Sequence, residues 1–334
     1  MKIVRTDREL EVPLVDRELA RRGPLVLLPD RVEEARLVAE VADADLLLMC
    51  YTPITARVIE RAARLKAIVK YGVGIDAIDI AAAIARGIPV VNIPEYAEDT
   101  VAEGAFTLMI ALLKGLMPLD RQMRSEGWAW PTRRWIGQDV AGKTVGIVGL
   151  GKCGRRRARS GGHGVRAGVS AVDPGVGRAD MAALGVEKVD LPDLLARSDV
   201  ISLHCTLNDT TRHIIGAVEL AQMKPSAILV NSSRGALVDE AALVTALSEG
   251  RIAGAGLDVF SQEPLALTGH EMSPLYALQN VLMLPHLTFY TAEAMERLER
   301  ETLERCDEAL SGRPVLVKSH DPRLRAQVKG VRFG

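Results

Sequence analysis

The chain has 334 residues, 48% of them apolar, and a formal charge of −1 from 42 Lys and Arg against 43 Asp and Glu. That length accommodates two ordinary domains, and the near-zero charge offers no global attraction to nucleic acid or to an acidic membrane. No apolar run reaches the roughly 18 residues of a bilayer span. Met1-Lys2-Ile3-Val4 enters a strand-like segment with no signal-peptide core, and Cys50, Cys153, Cys205 and Cys306 are scattered without C-x-x-C spacing. The sequence thus predicts a reducing cytoplasm, no disulfide and no metal site, with the thiols as packing residues.

Short apolar runs alternate with segments of helical period, the pattern of parallel sheets covered by helices. In the first hundred residues the predicted strands are 2–5, 25–29, 45–50, 65–71 and 89–93, with helices at 32–41, 54–63 and 80–86. A long amphipathic helix follows at about 97–116, with Asp99 or Thr100 to cap its start. Residues 120–140 break the pattern and carry all three tryptophans. They read as an extended arm, serving either as a subunit contact or as a local cover over the core. A second alternation has strands at 144–150, 169–173, 187–189, 199–205, 227–233, 252–260 and 281–285. A final amphipathic helix at 292–310 stops at Gly312-Arg313-Pro314, and the tail 311–334, with six Lys or Arg and one Asp, reads as a solvated edge.

Gly149-Leu150-Gly151-Lys152-Cys153-Gly154 directly follows a strand, opens a helix, and is followed 19 residues later by Asp173 at the next strand's end. That is the dinucleotide fingerprint in the context it requires. Gly149 allows the tight turn, Gly151 lets backbone amides reach a pyrophosphate, and Gly154 lets helix and sheet approach closely. A carboxylate at Asp173 accepts hydrogen bonds from ribose hydroxyls and repels a 2′-phosphate, favouring NAD. The cluster Arg155, Arg156, Arg157 and Arg159 could instead clamp a 2′-phosphate, but most of that run is expected to face solvent.

Doubly wound sheets bind ligands at the carboxyl ends of their strands. Those ends carry His204-Cys205-Thr206, Ser232-Ser233-Arg234-Gly235, Asp258 with Glu263 beyond, and Pro285-His286. Hydride transfer to a 2-oxo acid needs a cation for the substrate carboxylate and carbonyl, an imidazolium to protonate the nascent alkoxide, and an acid to orient that imidazole. Arg234, His286 and Glu263 fit those roles.

Five segments carry a family resemblance: Tyr71-Gly72-Val73-Gly74-Ile75-Asp76, the 149–154 loop, Asn-Ser-Ser-Arg-Gly-Ala-Leu-Val-Asp-Glu at 231–240, Gly-Leu-Asp-Val-Phe-Ser-Gln-Glu-Pro at 256–264, and Leu284-Pro285-His286. Together, in order and spacing over nearly the whole chain, they resemble the D-isomer-specific 2-hydroxyacid dehydrogenases. The resemblance implies an α/β architecture of two doubly wound parallel-sheet domains. A Rossmann NAD-binding domain (96–291) would be inserted in a flavodoxin-like substrate domain (1–95 and 292–334). It implies Arg234, Glu263 and His286 as the catalytic triad, with the backbone of Gly72, Val73 and Gly74, together with Arg234, on the substrate. It also implies a cofactor groove that adds Lys152, Cys153, Cys205, Thr206 and Ser232 to the fingerprint residues, with Asp258 at the nicotinamide carboxamide. The 120–140 arm would be a homodimer contact.

The chain departs from the family pattern at Gly104, where members usually carry a histidine, and in the Arg-rich, Gly-rich helix after residue 154. Two alternatives stay open: a partner-binding protein that senses NAD, as in the similar C-terminal-binding protein corepressors, and D-3-phosphoglycerate dehydrogenase as the specific activity. Against the latter, the position matching a phosphate-holding arginine reads Met49, leaving Lys70 as a possible cation, while Tyr51, Phe289 and Tyr290 add aromatic bulk.

Overall fold

The computed structural model describes residues 1–159 and 166–334. The Gly-rich stretch at 161–164, including His163, lies outside the described residues, and with it the end of the Arg-rich, Gly-rich helix expected after residue 154. The chain divides into two compact units, one of Met1–Ala97 with Thr291–Gly334 and one of Glu98–Tyr290.

The first unit opens with five parallel strands, β1 (Ile3–Arg5), β2 (Leu25–Leu27), β3 (Leu46–Met49), β4 (Ile68–Lys70) and β5 (Val90–Asn92), in the order β2-β1-β3-β4-β5. Helices α1 (Pro13–Ala20), α2 (Glu34–Val41), α3 (Ala56–Arg61) and α4 (Ile80–Arg86) cross between them. Strands β3, β4 and β5 are buried along their whole length. Covered on both faces, they read in sequence as unbroken apolar runs instead of alternating ones. Helix α1 lacks a strong apolar signature; its N-cap position, Val12, makes no side-chain hydrogen bond.

The second unit begins with α5 (Glu98–Leu113) and α6 (Leu116–Glu126). Asp99 and Thr100 lie within the first turn of α5, not at its cap. The expected extended arm is helical in its first half: Gly115, at φ +58°, ends one helix and α6 starts at an angle of 59° to it. Helix α6 buries none of its residues. Among the described residues no single helix is long and apolar enough to cross a membrane.

Seven parallel strands follow: β6 (Thr144–Val148), β7 (Gly168–Val172), β8 (Glu187–Lys188), β9 (Val200–Leu203), β10 (Ile228–Asn231), β11 (Gly254–Leu257) and β12 (Val281–Met283). Their order is β12-β11-β10-β9-β6-β7-β8. The crossovers are α7 (Lys152–Arg159), α8 (Arg178–Ala182), α9 (Leu191–Arg197), α10 (Ala217–Gln222) and α11 (Glu240–Ser248). Alternate residues feed two cores: Ile201 and Leu229 join one with Leu243 and Leu257, while Val200 and Val230 join the other with Leu108 and Met109 of α5.

The chain then returns to the first unit through α12 (Ala292–Leu310), β13 (Val315–Val317), α13 (Pro322–Arg325) and β14 (Val331–Phe333). Here the expected solvated edge is corrected. Val315, Val317, Leu324 and Gln327 are buried, β13 pairs with β14, and Gln327 bonds both the N–H and the carbonyl of Val90 (2.7 and 2.9 Å). One glutamine amide thus mimics a strand neighbour for β5, which surface charge counting does not reveal. Glu299 of α12 supplies the cap missing from α1, accepting from Leu14 N and Val15 N at 2.6 and 3.0 Å.

Candidate active site

In the second unit the strand order reverses between β6 and β9, and Val148 pairs with both Leu203 and Val172. Gly149, Cys205 and Asp173 therefore leave the sheet side by side. Gly149 has φ +91°, and a Cβ there would lie 2.5 Å from Cys205 N. At Gly154 a Cβ would lie 2.2 Å from Gly149 O, so the turn closes on itself only with glycine at both places. A Cβ at Gly151, by contrast, meets nothing within 4 Å, at the N-terminal end of α7. That opening suits a pyrophosphate on helix amides. Ser232 points a buried hydroxyl that has no hydrogen-bond partner at the same rim. An open glycine and an orphaned buried hydroxyl fit a bound dinucleotide.

Asp173 braces the loop from below, its Oδ2 accepting from Leu150 N (2.7 Å) and its Oδ1 from Gly175 N (2.8 Å). Carboxylate oxygens accept more than one bond each, so ribose contacts remain open to it. Burial pushes the Cys153 and Cys205 thiols up to about 11, leaving both neutral at physiological pH. Thr206 is exposed. Lys152 lies 3.3 Å from Glu98, and Arg156 pairs with Glu98 and Asp99 at 2.8 and 2.7 Å. The expectation that the arginine run faces solvent fails for Arg157, which is fully buried beneath α5, with Nη2 on Met109 Sδ and its guanidinium over Phe106. Only Arg155 is exposed among the three whose side chains are described.

The candidate acid–base residues lie beyond the ends of β10, β11 and β12. Asn231 closes β10 and clamps the next turn: its Nδ2 donates to Arg234 O (2.8 Å) and its Oδ1 accepts from Ser233 N (3.1 Å). A Cβ on Gly235 would strike the Phe260 carbonyl carbon at 2.0 Å, so the Arg234 turn rests directly on the segment leading to Glu263. Glu263 Oε1 accepts from Phe260 N (2.8 Å), and its Oε2 lies 2.7 Å from His286 Nδ1. Glu263 and His286 are thus in contact, with Arg234 at the end of the neighbouring strand. Asp258 is fully buried, its carboxylate accepting from Leu287 N, Thr288 N and Thr288 Oγ1. In this structure it holds the segment after His286.

In the first unit Gly72, at φ +150°, turns the chain after β4, and Asn92 Nδ2 donates to Val73 O at 2.6 Å. Val73 is exposed. Lys70 is not a free cation: buried, it donates to the Cys50 carbonyl, lies 3.1 Å from Cys50 Sγ, and sits under the Tyr51 ring. Met49 is wholly buried in the core. Asp7, itself buried, gathers Cys50 N, Tyr51 N, Thr52 N and the hydroxyls of Thr6 and Thr52. Sequence reasoning missed Asp7, Asn92 and Asn231 as organisers; the available signal was a polar residue at the end of an apolar strand.

This fold and this rim define an NAD-dependent oxidoreductase. Residues 106–288 match the model of the D-isomer specific 2-hydroxyacid dehydrogenase NAD binding domain. The chain is 40% identical over 305 residues to the glyoxylate reductase of Korarchaeum cryptofilum, covering 87% of this chain and 90% of that one. It is 38% identical to the D-3-phosphoglycerate dehydrogenase of Mycobacterium leprae over 91% of this chain, spanning 58% of that relative's length. The solved D-lactate dehydrogenase of Aquifex aeolicus, complexed with NAD and lactic acid, superposes with a TM-score of 0.83 at 28% identity, covering 93% of this chain and 96% of that one. The chain belongs to the D-isomer-specific 2-hydroxyacid dehydrogenases.

Proposed function

We propose that this enzyme interconverts a small, unphosphorylated D-2-hydroxy acid and its 2-oxo acid. The observation that carries the reading is the Glu263–His286 pair, at 2.7 Å, on the same sheet rim as the dinucleotide loop. With Nδ1 held by Glu263, the imidazole presents Nε2 as the proton donor to the carbonyl oxygen. Glu263 fixes the ring and its orientation. Arg234 binds the substrate carboxylate and polarises the carbonyl. NADH, when bound, supplies the hydride; Gly149, Gly151, Gly154 and Ser232 are its proposed cradle, with Lys152, Cys153, Cys205, Thr206 and Asp258 along the groove and Asp173 on the ribose.

Support for an unphosphorylated substrate comes from the first unit, where Met49 is buried and Lys70 is committed to Cys50. A phosphate dianion needs donors that are free to turn toward it. The corepressor-like alternative loses ground because Phe289 is buried edge-on to His286, at 6.2 Å between ring centres, and so serves the interior of the site. The test is NADH oxidation with glyoxylate, hydroxypyruvate, phenylpyruvate and phosphohydroxypyruvate. Turnover of the unphosphorylated acids is expected, with His286→Ala and Arg234→Ala each slower by about 10²–10⁴-fold while NADH still binds. A clear preference for phosphohydroxypyruvate sinks the substrate reading, and rates within tenfold of wild type for either variant sink the assignment of roles.

A further inference from the structure

Gly104 lies inside α5, where glycine destabilises a helix relative to alanine. A Cβ at this position would fall 2.6 Å from Thr288 Cβ and 2.8 Å from Thr288 Cγ2, well inside contact distance. The space that a side chain would take on the helix is filled by Thr288. Thr288 is held there by Asp258, whose Oδ2 accepts from Thr288 N at 3.1 Å and from Thr288 Oγ1 at 2.5 Å. The other oxygen of the same carboxylate accepts from Leu287 N at 2.8 Å.

These contacts bear on the residue just before them. His286 holds φ at +57°, the left-handed region that residues with a Cβ avoid. Such a conformation persists only where its surroundings over-determine it. On one side the imidazole is fixed by Glu263 and on the other by the edge of Phe289. The backbone itself is fixed by Asp258 on Leu287 and Thr288, and by Thr288 seated against the helix.

We propose that Gly104 is a positioning residue for His286: the notch it leaves in α5 seats Thr288 and thereby fixes the backbone from which His286 reaches Glu263. The inference rests on His286 as the proton donor. Any side chain at position 104 would collide with Thr288 as it now stands.

The test is a double-mutant cycle of Gly104→Ala and Thr288→Gly, read by kcat, KM and NADH affinity, and by the NMR signals of the His286 ring. Gly104→Ala should lower kcat by about 10²-fold, the order expected for displacing a reacting group by an ångström. NADH affinity should hold, and the NMR signals of the His286 ring should shift. Thr288→Gly alone loses one hydrogen bond to Asp258 and sets the reference. In that background the Gly104→Ala penalty should vanish to within about twofold, because no Cβ remains to collide. An equal penalty in both backgrounds, or none in either, overturns the proposal. Should Gly104→Ala fail to fold, the double variant decides: folded with the activity of Thr288→Gly it supports the proposal, and unfolded it refutes it. If the wild type reduces no 2-oxo acid, the functional reading fails, yet the NMR signals still test the positioning.

Discussion

At the scale of single residues, the least expected feature is Arg157. Its guanidinium is fully buried; among the described residues Nε and Nη1 have no hydrogen-bond partner, while Nη2 meets the Met109 sulfur. Burial pushes the group down to about 10. A desolvated cation without a carboxylate costs several kcal/mol, of which the Phe106 ring returns about 2. Arg157→Met, of similar length and apolar, should therefore stabilise the protein by about 1–3 kcal/mol in urea unfolding; a destabilised variant would show that the cation has a partner role.

Arg157 also acts on His204, whose ring bonds Ser202 Oγ at 2.8 Å and which burial, and then that positive charge, push down to about 3. The unfolded imidazole titrates near 6.5. Between those values the unfolded chain binds a proton that the folded one refuses, so stability is full above pH 6.5 and falls as pH drops toward 3. His204→Asn should flatten the midpoint between pH 6.5 and 4, and an unchanged acid limb would remove His204 as its source.

At the scale of elements, α1 is held by a residue far along the chain. With Val12 at its N-cap position, the helix relies on Glu299 for two of its first amide donors. Glu299→Ala should cost about 2 kcal/mol or more, through a lost cap and buried N–H groups left unpaired. Glu299→Gln, which keeps an acceptor oxygen, should cost less. Urea midpoints of the two variants check this, and equal midpoints for alanine and wild type would show that water replaces the cap. The same dependence explains why α1 was illegible in sequence while α4 was not: Asp79 caps α4 locally on Ala82 N. The parallel strands were legible for a related reason. Burial on both faces leaves a run such as Leu46-Leu47-Leu48-Met49, which needs no knowledge of its neighbours.

At the scale of the whole molecule, the chain leaves its first unit at Ala97 and re-enters it at Thr291. The arm joins a core only at its end, through Val140: α6 has no buried residue, and Trp128, Trp130 and Ile136 are 59%, 74% and 74% exposed. A helix this short, with no face packed, is marginal alone. The family resemblance expects a second copy of the chain against this arm, and its exposed tryptophans fit that expectation. Sedimentation at micromolar concentration should give a dimer, and Trp130→Asp with Ile136→Asp should shift it toward monomer. A wild-type monomer would return the arm to a local cover.

The sequence by itself determined the two parallel sheets and the Gly-rich loop, and it singled out Arg234, Glu263 and His286 as candidates. Each of these is written in contiguous residues: apolar runs of strand length, glycines at turn spacing, reactive types at strand ends. Tertiary structure alone decided that Lys70 is spent on Cys50, that Arg157 is buried, that the tail packs through Gln327, and that Thr288 occupies the space beside Gly104. Those outcomes turn on contacts between residues distant in the chain. A side chain's exposure, and the distance from one atom to the next, are fixed only when the strands and helices that carry them have packed.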